Sequence, residues 1–161
     1  MLAPFPRDRA AYRTLLARHF PWDSWQHVID AQGITLDRPA HTAHPTHPTI
    51  VYPMDYGYVK GTCATDEEPV DCFVGTAANG LVGLIATTDH RKEDREIKLL
   101  IDCSPPEIYT AHGFINYDRT LLEGLLVLRH PMHTLWSALR THPSSSTLQA
   151  KTGAQNRTDR P

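Results

Sequence analysis

The sequence predicts an α+β domain, a small closed β-sheet or barrel with helices at its flanks. Three observations carry this expectation. Between residues 27 and 101 lie five to seven short β-prone segments separated by turn and loop residues. An amphipathic helical pattern precedes them. A proline-opened helical segment follows them.

The elements can be justified in chain order. Arg7 to Phe20 places Ala10, Tyr12, Leu15, Leu16 and His19 at helical spacing, and Pro21 ends the run. His27 to Asp30 and Ile34 to Asp37 read as two strands, joined by a tight turn in which Gly33 supplies the positive φ. Arg38 to Pro48 is a loop rich in Pro, His and Thr. Thr49 to Tyr52 is β-prone, and Pro69 to Val74 reads as a strand that begins at a proline. Leu81 to Thr87 and Ile97 to Ile101 are apolar and β-branched. Pro105 and Pro106 open a helix running to about Asn116, with Ser104 as its N-cap. A second apolar segment, Leu121 to Leu128, ends at Arg129-His130-Pro131. Beyond Thr141 the composition is polar and predicts disorder.

Bulk composition narrows the function. The 161 residues make one domain with room for a single core, and 40% of them are hydrophobic. A net charge of −2 argues against nucleic acid or an anionic membrane as the main partner. No apolar run approaches the roughly 18–20 residues of a membrane span, and the first residues lack signal-peptide order. Three cysteines without a C-x-x-C pair suit reduced thiols, hence a cytoplasmic location. Asn156-Arg157-Thr158 matches a glycosylation pattern by chance.

The acidic run Asp66-Glu67-Glu68-Pro69-Val70-Asp71 holds four carboxylates within six positions. Their mutual repulsion is relieved if a cation sits among them. Asp66 and Glu68 share a face of an extended chain, and a turn at Pro69 is needed to bring Asp71 in. A second cluster follows at Asp89, Glu93, Asp94 and Glu96, with Asp94, Glu96 and Lys98 alternating onto one side. Two such clusters on neighbouring strands would make an all-oxygen site suited to Mg²⁺ or Mn²⁺. Arg38, Lys98 and Tyr56 beside it would suit a phosphate-rich ligand. From spacing alone, a solvated acidic loop and a charged hairpin tip account for the same residues.

Ile50-Val51-Tyr52-Pro53-Met54-Asp55-Tyr56-Gly57-Tyr58-Val59, then Thr62, Asp66 and Glu68-Pro69-Val70-Asp71, resembles the soluble (family I) inorganic pyrophosphatases, in particular their short divergent members. The likeness covers about Val28 to Arg119 and includes Ile34 to Pro39, the His-Pro pairs at 44–45 and 47–48, and His90 to Leu99. It implies a five-stranded OB-like barrel with flanking helices. It also implies a division into an N-terminal helical extension (1–26), a pyrophosphatase-like barrel domain with a C-terminal helix (27–130) and a variable, disordered tail (131–161).

The resemblance implies metal-dependent hydrolysis of pyrophosphate to two phosphates by a metal-activated water. Asp66, Asp71, Asp94 and Glu96 match metal ligands, for Mg²⁺ with Mn²⁺ as the second choice. Asp89 competes with Asp94 because the segment carries a length change. Glu68 matches the family's general base. Tyr56, Lys98 and Arg38 match groups that hold phosphate, and Tyr117 and Arg119 match a helical tyrosine and its partner cation. The members usually assemble as homo-oligomers. Hydrolysis of another small organic diphosphate, or phosphate binding without catalysis, are the alternatives.

Departures from the family pattern predict a reduced active site. Glu68 stands for an aspartate, Asp55 for an asparagine and Glu67 for a glycine, and no counterpart appears for an N-terminal glutamate or a second upstream lysine. One added methylene moves a carboxylate by about 1 Å, a displacement that can cost about 100-fold in rate. His41, His44 and His47 recur every three residues, as metal ligands on a polyproline-type face or as loop-fixing groups. Cys72 reads as a small buried residue, and Trp22, Trp25 and Trp136 as packing residues, Trp136 also as a subunit contact.

Overall fold

The computed structural model describes residues 7–64 and 67–141. Helix α1 (Arg9–His19) starts at Asp8, whose carboxylate accepts from the Ala11 N–H at 2.9 Å. Arg18 places a cationic side chain at its C-terminal, negative end. Helix α2 (Trp22–Gln32) follows at once and ends at Gly33, φ 75°. Six strands come next: β1 (Ile34–Arg38), β2 (Asp55–Val59), β3 (Asp71–Val74), β4 (Leu81–Asp89), β5 (Asp94–Ile101) and β6 (Leu122–Leu128). Helix α3 (Pro105–Ile115) joins β5 to β6, and α4 (Met132–Thr141) closes the described chain.

The strands form one mixed sheet in the order β1-β2-β3-β5-β4-β6. Only β3 and β5 run parallel. Both faces are covered, so β4 is a continuous buried run rather than an alternating one. On one face Tyr56, Phe73, Ile85 and Leu100 pack under Ile108, Ala111 and Ile115 of α3 and Leu135 of α4. On the other, Val59, Cys72, Leu84, Leu99 and Val127 pack under Ile29, Leu16, Phe20, Trp22 and Trp25 of α1 and α2. Phe73, Leu100 and Ile108 are fully buried, and each contributes about 1.5–3 kcal/mol by leaving water.

The structure corrects several expectations. His27 to Asp30 is helical, because Trp22, Trp25 and Ile29 recur on one helix face and bury it against the sheet. That burial outweighs the local β preference of Val28 and Ile29. Gly33 does take positive φ, but as the end of a helix rather than a hairpin turn. Thr49 to Tyr52 contributes one isolated bridge, Ala43 to Val51, between flanking prolines. Helix α2 runs across the 26/27 boundary, and α4 occupies part of the segment expected as tail. The remainder of that tail, from residue 142, lies outside the described residues.

The sheet is open and six-stranded instead of a closed five-stranded barrel. Among the described residues no pairing joins its end strands, β1 and β6. Helix α1 occupies the β6 side: Arg13 Nε donates to the Leu126 carbonyl at 3.0 Å, and Arg9 pairs with Glu123. At the other end β1 carries an irregularity between Leu36 and Arg38, which interrupts its pairing edge. The middle residue of Tyr56-Gly57-Tyr58 has to be glycine, since an added Cβ would lie 2.0 Å from the Thr35 backbone oxygen of β1.

Glu107 pins α3 to the sheet. Its carboxylate accepts from the Ser104 N–H and hydroxyl, both at 2.8 Å, and from the Thr76 hydroxyl at 2.9 Å. Burial opposes its charge, yet these bonds outweigh burial and hold the acid below its usual range. A depressed acid stabilises the fold above its unfolded pKa, and that stabilisation is lost as pH falls through the folded value. Glu107→Gln is therefore expected to cost about 1–2 kcal/mol in urea unfolding near neutral pH. The gap to the parent should close once acid protonates Glu107.

Candidate active site

Strand register assembles the site. Arg38 lies opposite Tyr56, Tyr56 opposite Phe73, and Phe73 opposite Leu100, a row across β1, β2, β3 and β5. Two residues back along β3 and β5, on the same face, stand Asp71 and Lys98. Glu96 and then Asp94 continue that face of β5. Apolar residues of the row lie under α3, and the face becomes polar as it leaves that cover.

Lys98 is the centre of the cluster, 8% exposed. Its ammonium donates to Asp71 Oδ2 at 2.8 Å, Glu96 Oε2 at 2.8 Å and Tyr56 Oη at 3.0 Å. An ammonium has three protons, so all are used. Tyr56 in turn donates to Asp71 Oδ2. Burial opposes the charge of Lys98, but Tyr56, Asp71 and Glu96 overcome it and hold the ammonium above the usual lysine range. Tyr56 is raised chiefly by burial, only partly offset by Lys98, and stays a neutral phenol.

Arg38 reaches the cluster from β1. Its Nη1 donates to Tyr52 Oη at 3.1 Å, and its guanidinium carbon lies 5.3 and 5.5 Å from the Tyr52 and Tyr56 ring centres. Arg38 Nε is buried and has no acceptor among the described residues. It is a donor that an oxyanion could take.

The other expected residues fall into three groups. Asp94 continues the Glu96–Lys98 face, and its carboxylate accepts from the Arg95 N–H at 2.6 Å. Its competitor Asp89 builds the β4–β5 turn by accepting from the Arg91 and Lys92 N–H groups at 2.8 and 3.0 Å. Glu68 is exposed on the loop entering β3, whereas Asp66 lies outside the described residues. Tyr117 and Arg119 are not brought to the cluster; Tyr117 is 93% exposed. Phe114, one helical turn earlier, packs instead on Tyr52 and Phe73, with centroids 5.3 and 6.1 Å away.

Two contributors escaped sequence reasoning. Tyr52 orients Arg38, and its only signal was its place in the Tyr52-Pro53-x-x-Tyr56 pattern. Thr62 ties the acidic loop at its root, donating to the Val59 carbonyl at 2.6 Å and accepting from the Val70 N–H at 2.9 Å.

Could these residues hold a divalent cation? Asp71 and Glu96 converge on one cation, and with Asp94 they offer only oxygen donors, the set that Mg²⁺ and Mn²⁺ prefer. The chemistry of the donor set fits. Among the described residues no three potential ligands already form a closed metal cluster.

Structure and site together define an α+β protein with a lysine-centred carboxylate cluster on its sheet. The segment 29–108 matches the family model described as inorganic pyrophosphatase, and that segment belongs to the family as a divergent member. Among solved structures the chain is similar to an inorganic pyrophosphatase from Coxiella burnetii, at 14% identity over 67% of this chain and 90% of that one, TM-score 0.41. It is also similar to the Helicobacter pylori inorganic pyrophosphatase, at 16% identity over 69% and 92%, TM-score 0.44. No curated protein matches the chain. Among the described residues no helix is long and apolar enough to cross a membrane.

Removing the central cation leaves two partly buried carboxylates facing each other. Lys98→Met is expected to destabilise the metal-free protein by about 2 kcal/mol, read from urea unfolding.

Proposed function

We propose that this chain hydrolyses inorganic pyrophosphate to two phosphates, using Mg²⁺ or Mn²⁺. The observation that carries the reading is the seat of Lys98 between Asp71, Glu96 and Tyr56, with Arg38 alongside. Asp71, Glu96, Asp94 and Asp66 would hold the cation. When bound, it would neutralise charge on the diphosphate and make water a better nucleophile near neutral pH.

The chain's own residues account for the rest. Arg38 offers its buried Nε–H to a phosphate oxygen, and its charge stabilises negative charge that builds on the leaving phosphate. Lys98 keeps its charge across the working pH range and would lend that charge to a phosphate oxygen held beside Asp71 and Glu96. Tyr56 remains protonated and serves as a neutral donor. Glu68, on the acidic loop, takes the proton of the attacking water. We assign the reaction to the cytoplasm, on the unpaired state of Cys63, Cys72 and Cys103, and to a homo-oligomer, on family resemblance.

One observation favours a second reading, a phosphate-binding protein that has lost catalysis: every proton of Lys98 is engaged by the protein itself. Phosphate release from pyrophosphate with Mg²⁺ separates the two. The parent is expected to turn over, with Asp71→Ala and Glu68→Gln each slowing kcat by about 100-fold or more. The melting temperature of Glu68→Gln should be unchanged. Absence of turnover in the parent, with pyrophosphate still bound, would establish the second reading; turnover restricted to an organic diphosphate would shift the substrate.

A further inference from the structure

Strand β1 does not reach Arg38 by regular pairing. Leu36 lies opposite Gly57 of β2, and Arg38 lies opposite Tyr56. Two steps along β1 therefore match one step along β2, and Asp37 is the extra residue of a β-bulge.

The bulge decides which face Arg38 uses. Side chains alternate along a strand, and residues directly opposite share a face. Ile34 lies opposite Val59, and both belong to the apolar layer under α1 and α2. Leu36 falls on that same face. A regular ladder would next set Asp37 opposite Tyr56 and return Arg38 to the layer under α1 and α2. The added residue turns Arg38 to the face of Tyr56 instead, where its guanidinium meets the Tyr52 and Tyr56 rings. The exposed Asp37 carboxylate stays 3.5 Å from Arg38 Nη2.

Backbone pairing cannot hold the bulge from its far side. Continuing the ladder would set Pro39 opposite Asp55, and proline has no N–H to give. The chain turns at once. The Thr42 N–H donates to the Pro39 carbonyl at 3.2 Å, and His41 takes a positive φ of 67°. These mark a tight turn with Ala40 second and His41 third. The second residue of such a turn has an N–H with no partner inside it. Here the Ala40 N–H goes to Asp55 Oδ1 at 2.8 Å. The Asp55 side chain thus replaces the ladder bond that Pro39 cannot make. The His41 N–H, on the Tyr52 carbonyl at 2.8 Å, ties the same turn to the residue that accepts from Arg38.

We propose that Asp55 is a positioning residue: through the Ala40 N–H it locks the bulge that turns Arg38 onto the site face. The place requires an acceptor oxygen, so an amide serves as well as a carboxylate. The proposal rests on the pyrophosphatase reading only for the anion that Arg38 meets. The placing of Arg38 is tested without any ligand.

NMR of the ligand-free protein reads hydrogen exchange at Arg38 Nε–H, a buried donor in this structure. Asp55→Ala removes the acceptor. Ala40→Pro removes the donor and leaves Asp55 in place, at a turn position that favours proline. Each is expected to speed that exchange about tenfold or more, and Asp55→Asn to leave it within about twofold of the parent. Calorimetry with pyrophosphate in EDTA reads the consequence. Binding should weaken about tenfold in Asp55→Ala, and the same change should add nothing in an Arg38→Ala background.

Unchanged exchange in both Asp55→Ala and Ala40→Pro would overturn the proposal. So would Asp55→Asn as impaired as Asp55→Ala, since charge rather than the bond would then matter. An equal loss of affinity with and without Arg38 would overturn it as well. A parent that shows the exchange pattern but binds no pyrophosphate would uphold the positioning role and refute only the pyrophosphatase reading.

Discussion

A buried lysine is the constraint on which the rest of this structure depends. An ammonium taken out of water is unfavourable by several kcal/mol unless its protons find acceptors. Lys98 finds three, and they come from three strands: Tyr56 on β2, Asp71 on β3 and Glu96 on β5. The requirement is therefore one of register. A slip of one residue in β3 or β5 would turn a carboxylate or the ammonium to the opposite face, into the apolar layer under α1 and α2.

The apolar framework fixes that register. Phe73 and Leu100 are paired and fully buried beneath α3, two residues beyond Asp71 and Lys98 on the same face. Gly57 allows β1 to cross close to β2, which brings Arg38 opposite Tyr56. Glu107 then holds α3 over this row through Ser104 and Thr76. Packing and chemistry are thus joined along single strands: the inner part of each is core and the outer part is site.

The legible part of the sequence was what period and spacing encode. Alternation of Asp94, Glu96 and Lys98 named one face of β5, and the family resemblance of the Tyr56 and Asp71 motifs named groups that gather beside it. What was not legible depended on tertiary partners. His27 to Asp30 looks extended locally, and only the sheet beneath Trp25 and Ile29 makes it a helix. Closure of the barrel could not be judged without α1, whose Arg13 reaches a carbonyl of the last strand. The site missed Tyr52 because a tyrosine beside a proline reads as packing; its hydroxyl matters only once Arg38 is seen above it.

The arrangement also separates rigid from adjustable parts. Arg38, Tyr56, Asp71, Glu96 and Lys98 stand on strands, where their positions are fixed by ladder hydrogen bonds. Glu68 stands on a loop. Thr62 and the Val59–Val70 bond, 3.0 Å from N to O, close the root of that loop, and Glu67 turns it through a positive φ of 67°. A carboxylate carried by a root-tied loop is positioned less tightly than one on a strand. The longer arm of glutamate suits such a place, because added reach offsets a less exact backbone. On this argument the Glu68 substitution is matched to its loop, and the strand-borne groups are the ones that tolerate no change in length.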